Sequence, residues 1–436
     1  MSAPFDLSLL PRTASVEGGR VALAGVGLTD LAEEFGTPLY VYDEAELRTR
    51  CREYHAAFGA GAAYAGKAFL CTAMARLVAE EGLGLDVATG GELHVADHAG
   101  FPMARVVFHG NNKSDDELER AIRHRVGRIV VDSFDELHRI ERFAADGATV
   151  PALQVRVTPG VEAHTHEFIE TGTEDSKFGF GYENGEALAA VTRIVSHNAL
   201  EFAGIHCHIG SQVYRADSFP RAIEKMVELA RRIESDAGAS VEEMNLGGGL
   251  GVRYLPDDDP PSIEQYCTIV RDAFDKALAE AGVRSRPTLM TEPGRSISAP
   301  AGLTLYRVGT IKTIPGVRTY IAVDGGMSDN LRPVTYGARY DAFVPSRATA
   351  PRPYTATIAG KHCEQGDLLV RDAQLPADIT VGDVLAVPVT GAYGAAMASN
   401  YNKVTRPAVV FVRDGSARVV VRRETDADLV RHDSME

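Results

Sequence analysis

Between about Ala62 and Glu292, short apolar runs alternate with longer amphipathic stretches. Ala63–Lys67 precedes Thr72–Glu81, Gly84–Ala88 precedes Gly91–Ala99, and Arg105–His109 precedes Asp115–Val126. Arg128–Asp132 leads into Phe134–Ala145, and Ala152–Val157 into a long polar loop followed by Gly185–His197. Glu201–His208, Glu243–Gly247 and Thr288–Glu292 are each trailed by a helical segment or a loop. Runs of that length suit buried strands, and stretches with a 3.6-residue period suit the helices that cover them. Eight successive βα units predict an α/β fold, a closed (β/α)8 barrel of parallel strands. An open, doubly wound sheet is the other architecture this alternation allows.

The flanks have a different texture. Upstream, Arg20–Ala24 reads as a short strand, Thr29–Phe35 as a helix and Pro38–Tyr42 as a strand. Downstream of about residue 303, Leu303–Thr313, Arg318–Val323, Tyr354–Ile358, Asp367–Val370, Val384–Val389, Ala408–Val412 and Arg418–Arg422 are β-rich and separated by Gly and Pro. The division expected is therefore an N-terminal segment over 1–45, a barrel over 46–302 and a C-terminal β domain over 303–436 that also takes the N-terminal strands. The polar tail Glu424–Glu436 is expected to fray.

Charge and composition narrow the function. The 436 residues carry a formal net charge of -15, which argues against nucleic acid, since phosphates are neutralised by clustered Lys and Arg. No apolar run approaches the ~20 residues needed to cross a bilayer. The opening MSAPFDLSLLPRT shows no basic stretch followed by an apolar one, so secretion is not indicated. Five cysteines, none in a CxxC pair, fit a reduced cytoplasmic setting.

In a parallel barrel the reactive groups stand at the C-terminal strand ends, and four such ends carry chemistry. Lys67 closes the first strand, where an amine can form a Schiff base; taken alone it also reads as a surface lysine. His206-Cys207-His208-Ile209-Gly210-Ser211 closes the sixth. Alternation puts His206 and His208 on one face, which raises a metal, but no third and fourth ligands are evident nearby. A flat ring beside a Gly-Ser turn fits a platform for an aromatic cofactor, with Ser211 and the turn amides on a phosphate. Gly247-Gly248-Gly249 follows the seventh strand and can bring backbone N–H groups close to an anion, or simply make a tight turn. The run is out of register with GxGxxG. Glu292-Pro293-Gly294-Arg295 closes the eighth strand, where Glu292 could hold a pyridine nitrogen's proton or could pair with Arg295.

With these motifs the chain resembles the fold-type III pyridoxal-phosphate decarboxylases, the family acting on diaminopimelate, ornithine and arginine. The resemblance runs from about Pro38 to Ala408. It includes His109-Gly-Asn-Asn-Lys-Ser, Glu170-Thr-Gly-Thr-Glu-Asp-Ser-Lys-Phe-Gly179, Asp324-Gly-Gly-Met-Ser-Asp-Asn-Leu-Arg332, Cys363-Glu364 and Gly391-Ala392-Tyr393. It implies an alanine-racemase-type barrel with a C-terminal β domain, and pyridoxal 5'-phosphate (PLP) as cofactor. It also implies that Lys67 forms the Schiff base, His208 stacks on the ring and Glu292 pairs with the pyridine nitrogen. Ser211, Gly248, Gly249, Gly294, Arg295 and Tyr393 would hold the phosphate. Arg295, Arg332, Tyr336, Glu364 and Tyr393 would contact substrate, and Cys363 would return a proton. No metal is implied. Cys363 and Glu364 would reach the site from the partner subunit of a homodimer. Gln365 stands where the family usually has Ser.

The Arg332 to Tyr336 stretch and Cys363-Glu364 are similar to the diaminopimelate branch. Two arginines and a tyrosine suit a distal carboxylate, and Glu364 suits an ammonium. The implied reaction is decarboxylation of meso-2,6-diaminopimelate to L-lysine and CO2, the last step of lysine biosynthesis. Alternatives are a decarboxylase for ornithine, arginine or a carrier-linked glutamyl group, an amino-acid racemase, and a non-catalytic binder that has lost the cofactor.

Overall fold

The computed structural model describes residues 3–161, 176–214 and 218–435. The chain divides into two compact units. One comprises Arg50–Gly251 and Pro260–Ser296; the other comprises Met1–Thr49, Val252–Asp259 and Ile297–Glu436.

The first unit is the expected barrel. Its strands are β1 (Ala63–Ala65), β2 (Gly84–Val87), β3 (Val106–Phe108), β4 (Arg128–Val131), β5 (Ala152–Thr158), β6 (Phe202–Cys207), β7 (Glu243–Asn245) and β8 (Thr288–Met290). All neighbours pair in parallel and in sequence order. A parallel bridge between Ala62 and Thr291, with Ala63 N–H on the Thr291 carbonyl at 2.9 Å, joins the first strand to the last. The open-sheet alternative is thereby excluded. Most strands stop one or two residues before their apolar runs do, because the chain peels off the ladder at the rim.

Helix starts follow local chemistry. Ser114 and Glu117 form a reciprocal capping box, as do Ser262 and Gln265, while Thr89 and Ser133 each accept an N–H in the first turn of their helices. At the strand beginnings a polar layer crosses the barrel interior. Arg128 on β4 reaches Glu243 on β7 through two bonds of 2.8 and 2.6 Å, and the same carboxylate accepts from Gln154 on β5 at 2.8 Å. β4 and β7 are not neighbours, so this clamp runs across the core rather than along it.

The second unit is built on the thirteen-residue strand Gly302–Ile314. Its buried first half pairs with Leu39–Asp43 and Val384–Pro388; its exposed second half pairs with Arg318–Val323. Leu39–Asp43 also pairs in parallel with Ala408–Arg413, so an N-terminal strand completes the C-terminal domain as expected. The strand expected to begin at Asp367 instead runs over Leu368–Leu375. The tail differs from expectation as well. Asp426–Val430 is a helix started by a Thr425–Asp428 capping box, and Arg422 grips Asp428 at 2.6 and 2.7 Å. No helix among the described residues is long and apolar enough to cross a membrane.

Candidate active site

Every strand of a parallel barrel ends at the same rim, and at this rim Glu292 organises the polar groups. It lies just beyond β8 and is 6% exposed. Its Oε1 accepts from His109 Nε2 at 2.8 Å and from Asn245 Nδ2 at 2.7 Å; its Oε2 accepts from His206 Nε2 at 3.2 Å. These donors come from the ends of β3, β7 and β6. Burial opposes charge on Glu292, but the two histidines outweigh it and hold the carboxyl well below the usual carboxylate range. The neighbouring Asp86, on β2, is pushed up to about 6 by burial, with His109 pulling against the shift.

The surroundings shift the two histidines in opposite directions. His206 is lowered to about 4, by burial first and against the pull of Glu292. His109 is raised: burial opposes its charge, but Glu292 and Asp86, at 2.8 and 3.7 Å from Nε2, prevail. Two rings shifted in opposite directions therefore share one anion.

His208 follows β6, and its Nδ1 accepts the Gly248 N–H at 3.2 Å. That bond leaves the proton of a neutral ring on Nε2, and burial with Lys67 and Arg156 nearby keeps the ring neutral. The glycines beside it have no room for side chains. A Cβ at Gly247 would stand 2.7 Å from the Cys207 carbonyl and from His208 Nδ1; at Gly248, 2.3 Å from the Glu292 carbonyl. Gly249 has φ +126°, and a Cβ there would lie 2.7 Å from the Gly210 carbonyl. Nearby, buried Arg295 donates to Ser211 Oγ through Nε at 3.2 Å and Nη2 at 2.9 Å. Gly294 is pressed against Ala65 and Ala68, either side of Lys67. Lys67 itself is exposed, in the turn Gly66–Ala68 directly after β1.

PLP asks three things of a protein: an amine for its aldehyde, an anion for its ring nitrogen and donors for its phosphate. The rim offers Lys67, a carboxylate held ionised in a dry setting, and Ser211 and Arg295 beside the glycine turn, where Gly247 and Gly248 spend their N–H groups on Asn245 and His208. The residues present fit the group.

The other expected residues belong to the second unit. Arg332 is buried, with its guanidinium carbon 4.7 Å from the Tyr254 ring centre and 5.6 Å from that of Tyr340, whose hydroxyl accepts from Nη1. Tyr336, four residues on in the same short helix, is half-buried. Tyr393 adopts φ +59°, unusual for a residue with a side chain. Cys363, Glu364 and Gln365 are exposed. Asn402 Oδ1 accepts the Cys363 N–H at 3.2 Å, and the Tyr401 hydroxyl donates to Glu364. Asp367 accepts the N–H groups of Met327 and His362 at 2.7 and 2.9 Å. Residues 170–175 of the Glu170–Gly179 stretch lie outside the described residues.

Sequence reasoning assigned no role to His109, Asn245, Asp86 or Arg156, and weighed His206 only as a metal ligand. His109, His206 and Glu292 do place three ligand atoms within 4.8 Å of one another, but the histidine protons are spent on the carboxylate. The available signal for His109 and Asn245 was a polar residue at a strand end, a pattern too common in barrels to single them out.

Residues 44–299 match the family model for the pyridoxal binding domain of pyridoxal-dependent decarboxylases. Diaminopimelate decarboxylase of Mycobacterium tuberculosis (strain ATCC 25618 / H37Rv) is 49% identical over 428 residues, covering 96% of each chain. That of Bacillus subtilis (strain 168) is 46% identical over 420 residues, covering 95% of each. The crystal structure of diaminopimelate decarboxylase from M. jannaschii in co-complex with L-lysine superposes with a TM-score of 0.90 at 34% identity, covering 98% of both chains. A barrel rim furnished for PLP and likeness over nearly the full length converge: the chain belongs to the diaminopimelate decarboxylase family of pyridoxal-dependent decarboxylases.

Proposed function

We propose that this chain is a carboxy-lyase that converts meso-2,6-diaminopimelate to L-lysine and CO2, closing lysine biosynthesis. Lys67 would hold PLP through its Nζ, and Glu292 would supply the anionic acceptor for the ring nitrogen. His208 would cover one ring face, while Ser211, Gly248, Gly249, Gly294, Arg295 and Tyr393 would hold the phosphate. Bound there, the cofactor supplies an electron-withdrawing ring that takes up the electron pair left by departing CO2. Cys363 Sγ returns a proton to the α-carbon, and Lys67 Nζ releases the product.

Arg332 carries the substrate reading. It is a buried guanidinium, and among the described residues no carboxylate pairs with it. A buried cation without an anion is costly by several kcal/mol, so a ligand carboxylate is the natural complement. With Arg295, Tyr336 and Tyr393 it would read the distal amino-acid centre, and Glu364 would take the ammonium. Ornithine has no distal carboxylate and would leave Arg332 unpaired.

CO2 release from meso-diaminopimelate, ornithine and arginine, with PLP added and omitted, tests the assignment. PLP-dependent release from diaminopimelate at least ~100-fold above the others is expected from one lost charge-assisted pair; equal release from ornithine would sink it. Borohydride reduction should label the Lys67 peptide.

The exposure of Cys363 and Glu364 supports their acting in the site of a second copy. Mixing two inactive variants, Lys67→Ala and Cys363→Ala, should then restore activity through hybrid dimers, whereas a site complete within one chain leaves the mixture dead. The five free cysteines support a cytoplasmic location.

A further inference from the structure

The stretch His109-Gly-Asn-Asn-Lys-Ser has no part in the reaction described above, yet two of its side chains are among the most constrained polar groups in the barrel. Lys113 is 1% exposed. Its ammonium donates to the Gly110 carbonyl at 2.8 Å, to the Val130 carbonyl at 2.8 Å and to Glu136 Oε1 at 2.7 Å, so all three protons are used. Glu136 is equally buried, and its second oxygen accepts the Asp132 N–H at 3.1 Å. This ties the loop after β3 to the end of β4. On its other side the loop abuts β2: His109 N–H donates to the Val87 carbonyl at 2.7 Å, and a Cβ at Gly110 would stand 2.9 Å from the Ala88 carbonyl. A buried ion pair is seldom a gain in stability over apolar residues of the same shape. What this one achieves is to hold the first residue of the loop, His109, with its Nε2 on Glu292.

We propose that His109 is a positioning residue for Glu292, keeping it an acceptor towards the cofactor's ring nitrogen, and that Lys113 fixes the loop that delivers it. The inference rests on the assignment of Glu292 to that nitrogen. Three donors converge on Glu292, and the geometry singles out one as the cation. Nδ1 of His206 is buried with no hydrogen-bond partner among the described residues. A neutral ring leaves only a bare lone pair there, whereas an imidazolium would bury an unpaired N–H. Asn245 carries no charge. His109 Nε2 faces two carboxylates, Glu292 and Asp86. The raised affinity of His109 for its proton agrees with this division. The other charged or titratable groups acting on this cluster are Arg156 from β5, Lys67 after β1, Glu92 in the helix after β2, and Cys207 and His208 at the end of β6. Of these, Arg156 is the other cation acting directly on His109, and Asp132 competes for it at 3.8 Å.

Without the His109 cation, the burial of Glu292 would be opposed only by neutral donors and by Arg156, which Asp132 also claims, and its carboxyl would bind a proton at a higher pH. A protonated Glu292 has lost the charge that pairs with a protonated ring nitrogen. PLP binding would then require the loss of that proton, weakening ~10-fold for each pH unit below the new midpoint.

The test is equilibrium dialysis of PLP against the full chain and its His109→Asn variant from pH 6 to pH 8.5, with folding checked by circular dichroism. The ratio of the two dissociation constants should be at least ~10-fold larger at pH 6 than at pH 8.5, as one linked proton requires. A ratio that is constant with pH, whether unity or not, overturns the proposal, since a purely structural role weakens binding equally throughout. His109→Gln gives the same comparison if the asparagine variant does not fold. The Lys113→Met/Glu136→Leu double variant removes both buried charges and leaves neither orphaned; it should show the same pH-dependent weakening, and a wild-type profile would remove Lys113 from the proposal. Glu292→Gln separates the two levels. If its PLP affinity matches the unaltered protein, the ring-nitrogen assignment itself fails. If it weakens while His109→Asn does not, only the inference fails.

Discussion

Replacing Glu292 by Gln changes one oxygen to an amide nitrogen, and the hydrogen bonds at the barrel rim set the consequences. Oε1 takes two donors, from His109 and Asn245, and Oε2 takes one, from His206. The amide will keep its oxygen on the pair and turn its NH2 towards His206, where two donors then meet. His206 can relieve that clash only by moving its proton to Nδ1, which is buried and has no partner among the described residues. One orphaned donor costs about 1–3 kcal/mol, and the loss of charge assistance on the other two bonds about 1 kcal/mol each. His109, deprived of its nearest anion, gives up its proton, so the net charge of the rim hardly changes. The barrel should therefore fold, with a reduced urea midpoint.

Catalysis should suffer more than folding. An ionised partner for the ring nitrogen is worth on the order of 3 kcal/mol in a water-excluded site, which is ~100-fold in kcat. The assay is CO2 release from meso-diaminopimelate at saturating PLP. Glu292→Asp, charged but one methylene short, should fall between the unaltered protein and Glu292→Gln. A kcat for Glu292→Gln within threefold of the unaltered value would refute the view that this anion governs the chemistry.

Three further outcomes are expected from the same geometry. Arg332→Ala should raise KM for diaminopimelate ~100-fold, the worth of a charge-assisted bidentate pair, while PLP absorbance stays intact; an unchanged KM would take Arg332 out of the substrate site. Gly249→Ala puts a Cβ 2.7 Å from the Gly210 carbonyl at φ +126°, and should weaken PLP binding at least ~10-fold by spreading the loop, as read by dialysis. Asp329, in the β unit, is pushed up to about 7 by burial, with Asp367 and Asp324 adding to the shift against the Tyr306 and Gly326 hydrogen bonds. A carboxyl with a raised folded pKa lends stability that is complete below its unfolded value and is lost as pH rises through 7. Asp329→Asn should thus flatten the fall in urea midpoint between pH 5 and pH 8, and an unaltered slope would show that Asp329 is not the titrating group.

Much of this protein is legible in its local pattern. Eight apolar runs separated by amphipathic stretches admit few folds, because each buried strand needs a covering helix and parallel strands need a crossover. The ends of those runs also point to Lys67, His208 and Glu292, since a parallel barrel puts every strand end at one rim. The C-terminal strands are readable for a similar reason, being β-branched and bounded by Gly and Pro. Other features depend on partners far away in sequence. The capped tail helix needed Arg422 folded back on Asp428, and the insertion of Leu39–Asp43 beside Ala408–Arg413 is a pairing across more than three hundred residues. The identity of the rim's cation is of this second kind. His109, His206 and His208 look alike along the chain, and what separates them is burial and the distance to two carboxylates. Sequence by itself determined the barrel and the family, and marked the strand ends from which the site is proposed, because these rest on local periodicity and short motifs. Tertiary structure alone decided which groups share a proton at Glu292, because that depends on which strand ends the closed barrel brings within hydrogen-bonding distance.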